Sequence, residues 1–369
     1  MKRSLPMASL FAALFLVTAG MASAQDMNYP TLQNAKPRFA VGPAHPELAP
    51  VQPAATLSQW YGSFTDLTGK NIHYTMVGPK PAKSNSTTTV SVLVVPVVMV
   101  YGANNGNRTF DPANNTISNG QTIIQNILLS PLFDLGMNFT QGGKNLGTTQ
   151  YIDAFQRGNF WKFVKKAAHS QYHVLLQPTV MPSQTIAVTP SQGQVVNNPF
   201  GSGVVGTYDI NLFDQKLQTY MKQITQVNPS VLPLFITYDV YLTSGGCCIG
   251  GYHSSNGGPP IGQTYATATY VDSPGAFSQD VSALSHELGE WMDDPFVNNH
   301  VNCLDNSILE DGDPLEGNAN YGGFPYTLNG FTYNLQSLVF LPYFGAPRAT
   351  SVNNWLSFQN EQHFVCPGQ

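Results

Sequence analysis

One run of residues constrains the fold more than any other: residues 87–101, with the sequence TTTVSVLVVPVVMVY. β-Branched side chains dominate it, and they favour the pleated, packed surface of a sheet. The run therefore predicts a buried strand. Pro96 should interrupt the hydrogen-bond ladder of this strand or mark a bulge, because proline has no backbone N–H to donate.

The other predicted elements do not alternate regularly along the chain. Asn329-Gly330, between two β-prone runs, predicts a hairpin. The mixed order is typical of an α+β fold, and the many Gly, Asn and Ser residues indicate a loop-rich chain. Hydrophobic spacing predicts helices over 121–129, 150–160 and 209–224, and strands over 172–177, 234–242 and 264–271.

The N-terminus has the pattern of a secretory signal peptide. Lys2 and Arg3 precede the apolar stretch LFAALFLV, and Ala-Ser-Ala supplies a small-residue cleavage site. We expect residues 1–24 to be removed and the protein to be secreted or periplasmic. Residues 25–86 begin with a Pro/Ala-rich stretch and are expected to form a leader or pro-segment, and residues 87–369 the metal-binding domain.

Charge and hydropathy argue against two classes of protein. Removing Lys2 and Arg3 leaves 14 of the 16 cationic residues against 21 acidic ones, a net charge of −7. No basic stripe is visible, so a nucleic-acid partner is not expected. After the signal, the longest apolar run has ten residues and contains Pro96, so no integral membrane segment is expected either.

The four cysteines suit an exported chain with two disulfides, for which three pairings exist. A bond between the adjacent Cys247 and Cys248 would close a strained ring. We therefore expect each of them to reach either Cys303 or Cys366. Their spacing lacks the paired C-x-x-C pattern that is typical of a structural zinc site.

The chemistry is concentrated in the stretch SHELGEWMDDP, which is predicted to be helical. Ser278 as N-cap and Asp280 in the first turn favour a helix start, and Pro295 ends it. His286 and Glu290 then lie one turn apart on one face, where they can bind a single ion. The neighbouring glutamate, at position 287, is turned by about 100° and can address a water on that ion.

Acidic residues gather around this helix. Residues 286–316 contain nine of the 21 carboxylates and neither lysine nor arginine. Like charges at this density repel one another unless something positive lies among them. A solvated acidic face normally alternates with Lys or Arg. The pattern therefore predicts a bound cation.

The H-E-x-x-E helix, with Glu310 and Asp313 downstream, resembles the H-E-x-x-H helix and following acids of zincin-like, gluzincin-type metallopeptidases. That resemblance implies His286, Glu290 and Glu310 as ligands of Zn²⁺, with Asp313 orienting the ligand histidine. It also implies Glu287 as the general base of a secreted peptidase, which hydrolyses peptide or protein substrates through a metal-bound water.

The same resemblance implies a mixed sheet in which an edge strand, residues 264–271, precedes the active-site helix and pairs with an extended substrate. Two features depart from the family pattern. Glu290 stands where the second histidine is usual, and the spacing from Glu310 to Asp313 is one residue shorter than usual.

A second candidate group is the glycine-rich loop GGCCIGGYHS, which carries Tyr252 and His253. Either side chain can polarise a substrate carbonyl or stabilise an oxyanion, and His253 can replace Glu310 as the third ligand. This loop, the helix and the Glu-x-x-Asp pair together also look like the secreted Exordium or phosphate-induced proteins. That family is not defined by a catalytic activity.

Other functions stay open on the sequence alone. The acids at positions 293, 294, 305, 311 and 313 can form an all-oxygen structural Ca²⁺ site. In that case the protein is a non-catalytic extracellular or cell-wall protein. A glycoside hydrolase that uses two carboxylates is a further alternative. The sequence indicates neither the substrate preference nor the oligomeric state.

Overall fold

The computed structural model describes residues 28–38, 40–303, 308–315, 321, 323–347, 350–362 and 366, so the predicted signal peptide lies outside the described residues. Its helices are α1 Ile123–Leu128, α2 Tyr151–Asn159, α3 Trp161–Val164, α4 Ile210–Gln223 and α5 Ser282–Asp293. Its strands are β1 Gln59–Thr65, β2 Asn71–Val77, β3 Thr87–Tyr101, β4 Thr109–Phe110, β5 Asn138–Gln141, β6 Lys144–Thr148, β7 His173–Val180, β8 Gln184–Val188, β9 Val195–Asn197, β10 Val204–Asp209, β11 Val231–Tyr238, β12 Val240–Thr243, β13 Cys247–Ile249, β14 Gly251–Asn256, β15 Gln263–Tyr270, β16 Gly323–Leu328 and β17 Phe331–Gln336.

The strand predicted over 87–101 is confirmed as β3, and it lies inside a seven-stranded mixed sheet. β11 pairs parallel to β3 on one side, and β7 and β8 pair parallel to it on the other. Beyond β11 come β15 and then the antiparallel strand β14. Helices and sheets in this irregular order confirm an α+β fold.

Pro96 lies where β3 exchanges one partner strand for the next. The register with β7 ends at Val94, and the register with β8 begins at Val97. Pro96, which has no backbone N–H to donate, therefore lies at the gap between the pairing with β7 and the pairing with β8. The expected break in the ladder is present, although the strand itself continues through the proline to Tyr101.

The edge of the sheet differs from the prediction. The predicted edge strand, 264–271, corresponds to β15, but β15 pairs with β11 on one side and with β14 on the other. β14 therefore occupies the outer position, and β15 is second from the edge. This additional strand, residues 251–256, is the end of the glycine-rich stretch and pairs antiparallel with β15.

The start of α5 also differs. The helix begins at Ser282, so Ser278 is not its N-cap. Ser278 and Asp280 have φ angles of 60° and 41°, in the left-handed region that a helical N-terminus does not use. Asp280 instead accepts hydrogen bonds from the Val281 and Asn334 backbone N–H groups, which ties the loop before α5 to β17.

Asp280 should make stability depend on pH. Burial raises the pKa of its carboxyl from 3.8 to about 7. The folded chain therefore holds this proton more tightly than the unfolded chain, and the stabilisation is lost as pH rises through about 7. We expect the urea midpoint to fall between pH 5 and 8, and to fall less in Asp280→Asn. The difference is a few kcal/mol at most, because one pKa step corresponds to about 1.4 kcal/mol. Equal slopes for the two proteins would contradict this assignment.

The predicted hairpin is confirmed and helps to build the site. Asn329 and Gly330, with φ angles of 51° and 80°, connect β16 to β17. Positive φ at both central residues is the geometry of a tight two-residue turn. β17 then runs along α5 and ends at Gln336, whose backbone N–H donates to Ser285 Oγ over 2.8 Å.

The disulfides are paired differently from the prediction. Cys247 bonds to its neighbour Cys248, and Cys303 bonds to Cys366. Neither member of the adjacent pair reaches the two later cysteines. The expected strain of a ring between neighbouring cysteines therefore does not decide the pairing in this chain. The two disulfides fit an extracellular protein.

The Pro/Ala-rich segment runs along the edge strands of two sheets, β13 of a four-stranded sheet and β14 of the seven-stranded sheet. The Arg38 N–H donates to Cys248 O over 2.8 Å, and the Gly250 N–H donates to Arg38 O over 3.2 Å. Further along, the His45 N–H donates to Ser255 O, and its carbonyl accepts from the Gly257 N–H. Part of the expected leader is therefore hydrogen-bonded beside β13 and β14. The β1–β2 hairpin that follows is tied to the main domain by Asn299, whose Oδ1 accepts from the Thr75 N–H over 2.8 Å.

Candidate metal centre

Helix α5 is enclosed by other elements and is not a surface helix. It packs against β15, β14, β17, α2 and β2, and all its residues after Ser282 are buried. The apolar residues Leu284, Leu288 and Trp291 enter the main hydrophobic core. On the other faces of α5, His286, Glu287 and Glu290 also point into the protein interior. At most 2% of any of these three residues is exposed.

A buried acidic cluster surrounds this face of α5. Its carboxyl groups belong to Glu287, Glu290, Asp293, Asp294, Glu310, Asp311 and Asp313. In the part of the chain that the structure describes, the ion pairs of these carboxylates are formed with His253 and His286, and none with lysine or arginine. A buried carboxylate without a cationic partner must take up a proton or bind a cation.

His286 is held in one orientation by a residue that the sequence did not single out. Its Nδ1 contacts Gln336 Oε1. The same amide donates from Nε2 to Tyr321 O over 3.0 Å, which identifies Oε1 as the acceptor. Nδ1 therefore carries the imidazole proton, and Nε2 is a lone-pair donor. Nε2 lies 3.0 Å from Glu290 Oε1 and 3.5 Å from Asp313 Oδ1.

Gly312 makes this arrangement sterically possible. Its N–H donates to Glu290 Oε1 over 3.1 Å. A Cβ added at this position would collide with the His286 ring and lie 2.7 Å from Gln336 Oε1. Both neighbours are buried, so neither can move aside without loss of packing.

Gly312→Ala should consequently weaken metal binding and lower stability. We expect about a 10- to 100-fold loss in metal affinity, because displaced supporting groups typically have that effect. We also expect about 1–3 kcal/mol of destabilisation from overpacking. Calorimetric titration and urea unfolding measure the two effects. Gly258→Ala is the control, because its added methyl group would meet nothing within 4 Å; similar losses in both variants would contradict the steric explanation.

His253 approaches the cluster from β14. Its Nε2 lies 2.9 Å from the Asp294 carbonyl oxygen and therefore donates to it. Nδ1 is then the lone-pair donor, 3.7 Å from Glu287 Oε2 and 3.7 Å from Glu290 Oε2. Burial lowers the pKa of both His253 and His286 to about 4, so each imidazole is neutral near pH 7.

The glutamates have the opposite shift. Burial, and then repulsion from neighbouring carboxylates, raises the pKa of Glu287, Glu290 and Glu310 well above the ordinary value. Neutral imidazoles with lone pairs directed at clustered carboxyl groups are the donor set of a divalent-metal site. The same arrangement without a metal has to retain protons on its carboxyl groups.

The three residues predicted as ligands of one ion, His286, Glu290 and Glu310, do not form a single group; they are divided between two groups that share Glu290. His286, Glu290 and Asp313 form one, and His253, Glu290 and Glu310 form the other. Within each group the ligand atoms lie within 4.8 Å of one another. Asp313, expected behind the histidine, thus faces Nε2, the nitrogen available to a metal. Buried His, Glu and Asp groups that can hold a metal ion are therefore present.

Tyr252 does not join these groups. Neighbouring residues on a strand point to opposite faces, so His253 faces the acidic cluster and Tyr252 faces the other side of β14. Its hydroxyl donates to Asp214 Oδ1 over 3.0 Å, and Tyr265 donates to the same oxygen over 2.6 Å. His45 Nε2 lies 2.6 Å from the other oxygen of Asp214.

The described residues of the predicted Ca²⁺ site are engaged with different partners. Asp294 accepts from the backbone N–H groups of Asn298 and Asn299, so it closes the turn after α5. Asp293 accepts from Gln156 Nε2 and faces Asp311. Asp313 instead faces His286, and the acid at position 305 lies outside the described residues.

Among the described helices, none has the length and apolar character needed to cross a membrane. No family model, curated protein or solved structure matches the chain. Any functional assignment consequently rests on the chemistry of the cluster around α5.

Proposed function

We propose that the protein is an exported, metal-dependent hydrolase that acts on peptide bonds. The observation that carries the proposal is that two imidazoles and the carboxyl groups of Glu290, Glu310 and Asp313 form two overlapping groups, with Glu287 lying beside both histidines. Zn²⁺ suits such a donor set because imidazole favours transition metals over Ca²⁺.

In this proposal Glu287 acts as the general base. Its two oxygens lie 4.0 Å from His286 Nε2 and 3.7 Å from His253 Nδ1, and neither has a hydrogen-bond partner among the described residues. A divalent ion bound beside it would polarise a carbonyl and acidify a water. Glu287 would take the proton of the attacking water and return it to the leaving amine. Burial, and then the neighbouring Glu290, raise the pKa of the Glu287 carboxyl, which favours proton uptake by this group.

The edge of the sheet supports an extended polypeptide as the substrate class. Strand addition binds a chain through main-chain hydrogen bonds, largely independently of its side chains. The segment around Arg38 and His45 already binds in this way beside β13 and β14. β14 also carries His253, so a chain paired along this edge would pass close to the cluster.

Burial favours one competing function. His286 is 0% exposed, and the most accessible ligand candidate, the Asp313 side chain, is 21% exposed. An ion so enclosed also suits a structural role in a non-catalytic extracellular protein. The two functions differ in whether removal of the ion abolishes turnover or only stability.

Metal analysis and peptide cleavage test the proposal together. We expect the purified mature protein to contain stoichiometric Zn²⁺ or another transition metal, and His286→Ala to contain less metal than the wild type. Cleavage of a mixed fluorogenic peptide library should stop on chelation and return when Zn²⁺ is added. Metal without cleavage under any loading would support the structural role instead. Calcium retained in both proteins would overturn the transition-metal centre itself.

A further inference from the structure

We infer that the cluster binds two divalent transition-metal ions, bridged by the carboxylate of Glu290. This inference deepens the proposed function and rests on it for the presence of a metal centre. Its starting point is that the two ligand groups share Glu290 and no other residue. Among the described residues, the two histidines do not occur together in either group.

The two oxygens of Glu290 face different histidines. Oε1 lies 3.0 Å from His286 Nε2, while Oε2 lies 3.7 Å from His253 Nδ1. A bridging carboxylate offers one oxygen to each metal, and paired metals in proteins lie about 3.5–4 Å apart. One ion held by Oε1 and a second held by Oε2 would each have one imidazole.

Each histidine has a separate partner that fixes its tautomer. Gln336 Oε1 contacts Nδ1 of His286, and the Asp294 carbonyl accepts from Nε2 of His253. Ligand histidines are commonly oriented by a hydrogen bond from the nitrogen that does not bind the metal. The other nitrogen of each ring directs its lone pair at the same glutamate, Glu290.

The remaining carboxylates divide between the two positions. Asp313 Oδ1 lies 3.5 Å from His286 Nε2, and Glu310 belongs to the group of His253. Glu287 spans both positions, with Oε1 towards His286 and Oε2 towards His253. It is 1% exposed, and both oxygens lack a hydrogen-bond partner among the described residues, so they point into the proposed site.

Charge supports two ions over one. When ionised, Glu287, Glu290, Glu310 and Asp313 carry four negative charges, and both histidines are neutral. Two divalent ions balance these charges, whereas with one ion two of the four carboxyl groups would have to keep their protons. Uncompensated charge in a buried site is strongly unfavourable, so the fully ionised set needs both ions.

Stoichiometry tests the inference directly. The mature full-length protein is stripped with a chelator, dialysed and titrated with Zn²⁺ alone, and bound metal is counted by mass spectrometry. We expect two equivalents in the wild type, one in His253→Ala, one in His286→Ala and none in Glu290→Ala. His173→Ala is the matched control, because His173 also pairs with a buried carboxylate, Asp153, at 2.6 Å, but lies outside the cluster. It should retain two equivalents.

A second measurement on the wild type does not depend on whether the variants fold. Loading with Mn²⁺ should give an electron paramagnetic resonance spectrum of two coupled ions. One equivalent of Zn²⁺ and an uncoupled Mn²⁺ spectrum would overturn the two-metal site and leave the proposed function standing. A wild type that binds neither ion would overturn both proposals.

Discussion

Glu287→Gln should lower the rate of peptide hydrolysis by about 10²- to 10⁴-fold, the range expected when a general base is removed. The amide has nearly the shape of the carboxylate but cannot accept the proton of the attacking water. The ligand histidines keep the hydrogen bonds that orient them, because Gln336 and the Asp294 carbonyl are unchanged. Metal content should therefore stay close to that of the wild type.

The stability of the metal-free protein distinguishes a catalytic role of Glu287 from a role in folding. Glu287 is buried beside other carboxyl groups that raise its pKa, so its replacement by a neutral amide should stabilise the apoprotein. Asp280→Asn is the control, because it also neutralises a buried carboxyl but lies outside the cluster. It should retain full activity. Activity that survives in Glu287→Gln would show that another group activates the water.

Removal of the metal should lower the stability of the folded protein more than any substitution described above. A ligand present at a thousand times its Kd contributes about 4 kcal/mol to the folded state. For a chain of this size, that corresponds to a fall in Tm of roughly 5–10 °C. Calorimetry of the chelated and reloaded protein measures the difference. Equal Tm values for the two forms would rule out an ion that is bound only by the folded protein.

The sign of the pH dependence gives this prediction a second test. In the apoprotein, burial raises the pKa of Glu290 and Glu310, so protons stabilise it at low pH and their loss destabilises it as pH rises. Metal binding needs the same groups deprotonated and strengthens as pH rises. The gap in Tm between loaded and stripped protein should therefore widen from pH 5 to pH 8. A gap that narrows over this range would contradict the assignment of these glutamates.

The sequence predicts those parts of the fold that rest on local patterns. The strand over 87–101 and the Asn329-Gly330 hairpin are confirmed, as are the helices around residues 123–128, 151–159 and 210–223. β-Branched runs, turn residues and capping side chains act over a few neighbours, so they can be read along the chain. A gathering of acids around α5 was expected because so many acids without cations require a counterion, but His286 groups with Glu290 and Asp313, whereas Glu310 groups with His253.

What the sequence could not predict depends on contacts between distant segments. Gln336 lies 50 residues after His286 and arrives on a strand whose pattern does not distinguish its glutamine from others. Gly312 matters through close approach to the imidazole, which no local signal records. The position of β14 outside β15, and the separation of Tyr252 from His253 by the two faces of that strand, depend on how the sheet is assembled.

The leader segment beside β13 and β14 has a consequence for how this protein would mature. While residues 36–45 stay in place, the backbone groups that they bond are unavailable to any other polypeptide. Proteolytic trimming after this segment would expose a ready-made template for strand pairing within reach of His253. A single cut could thus convert a chain that covers the edges of β13 and β14 with its own leader into one whose strand edges can pair with another polypeptide.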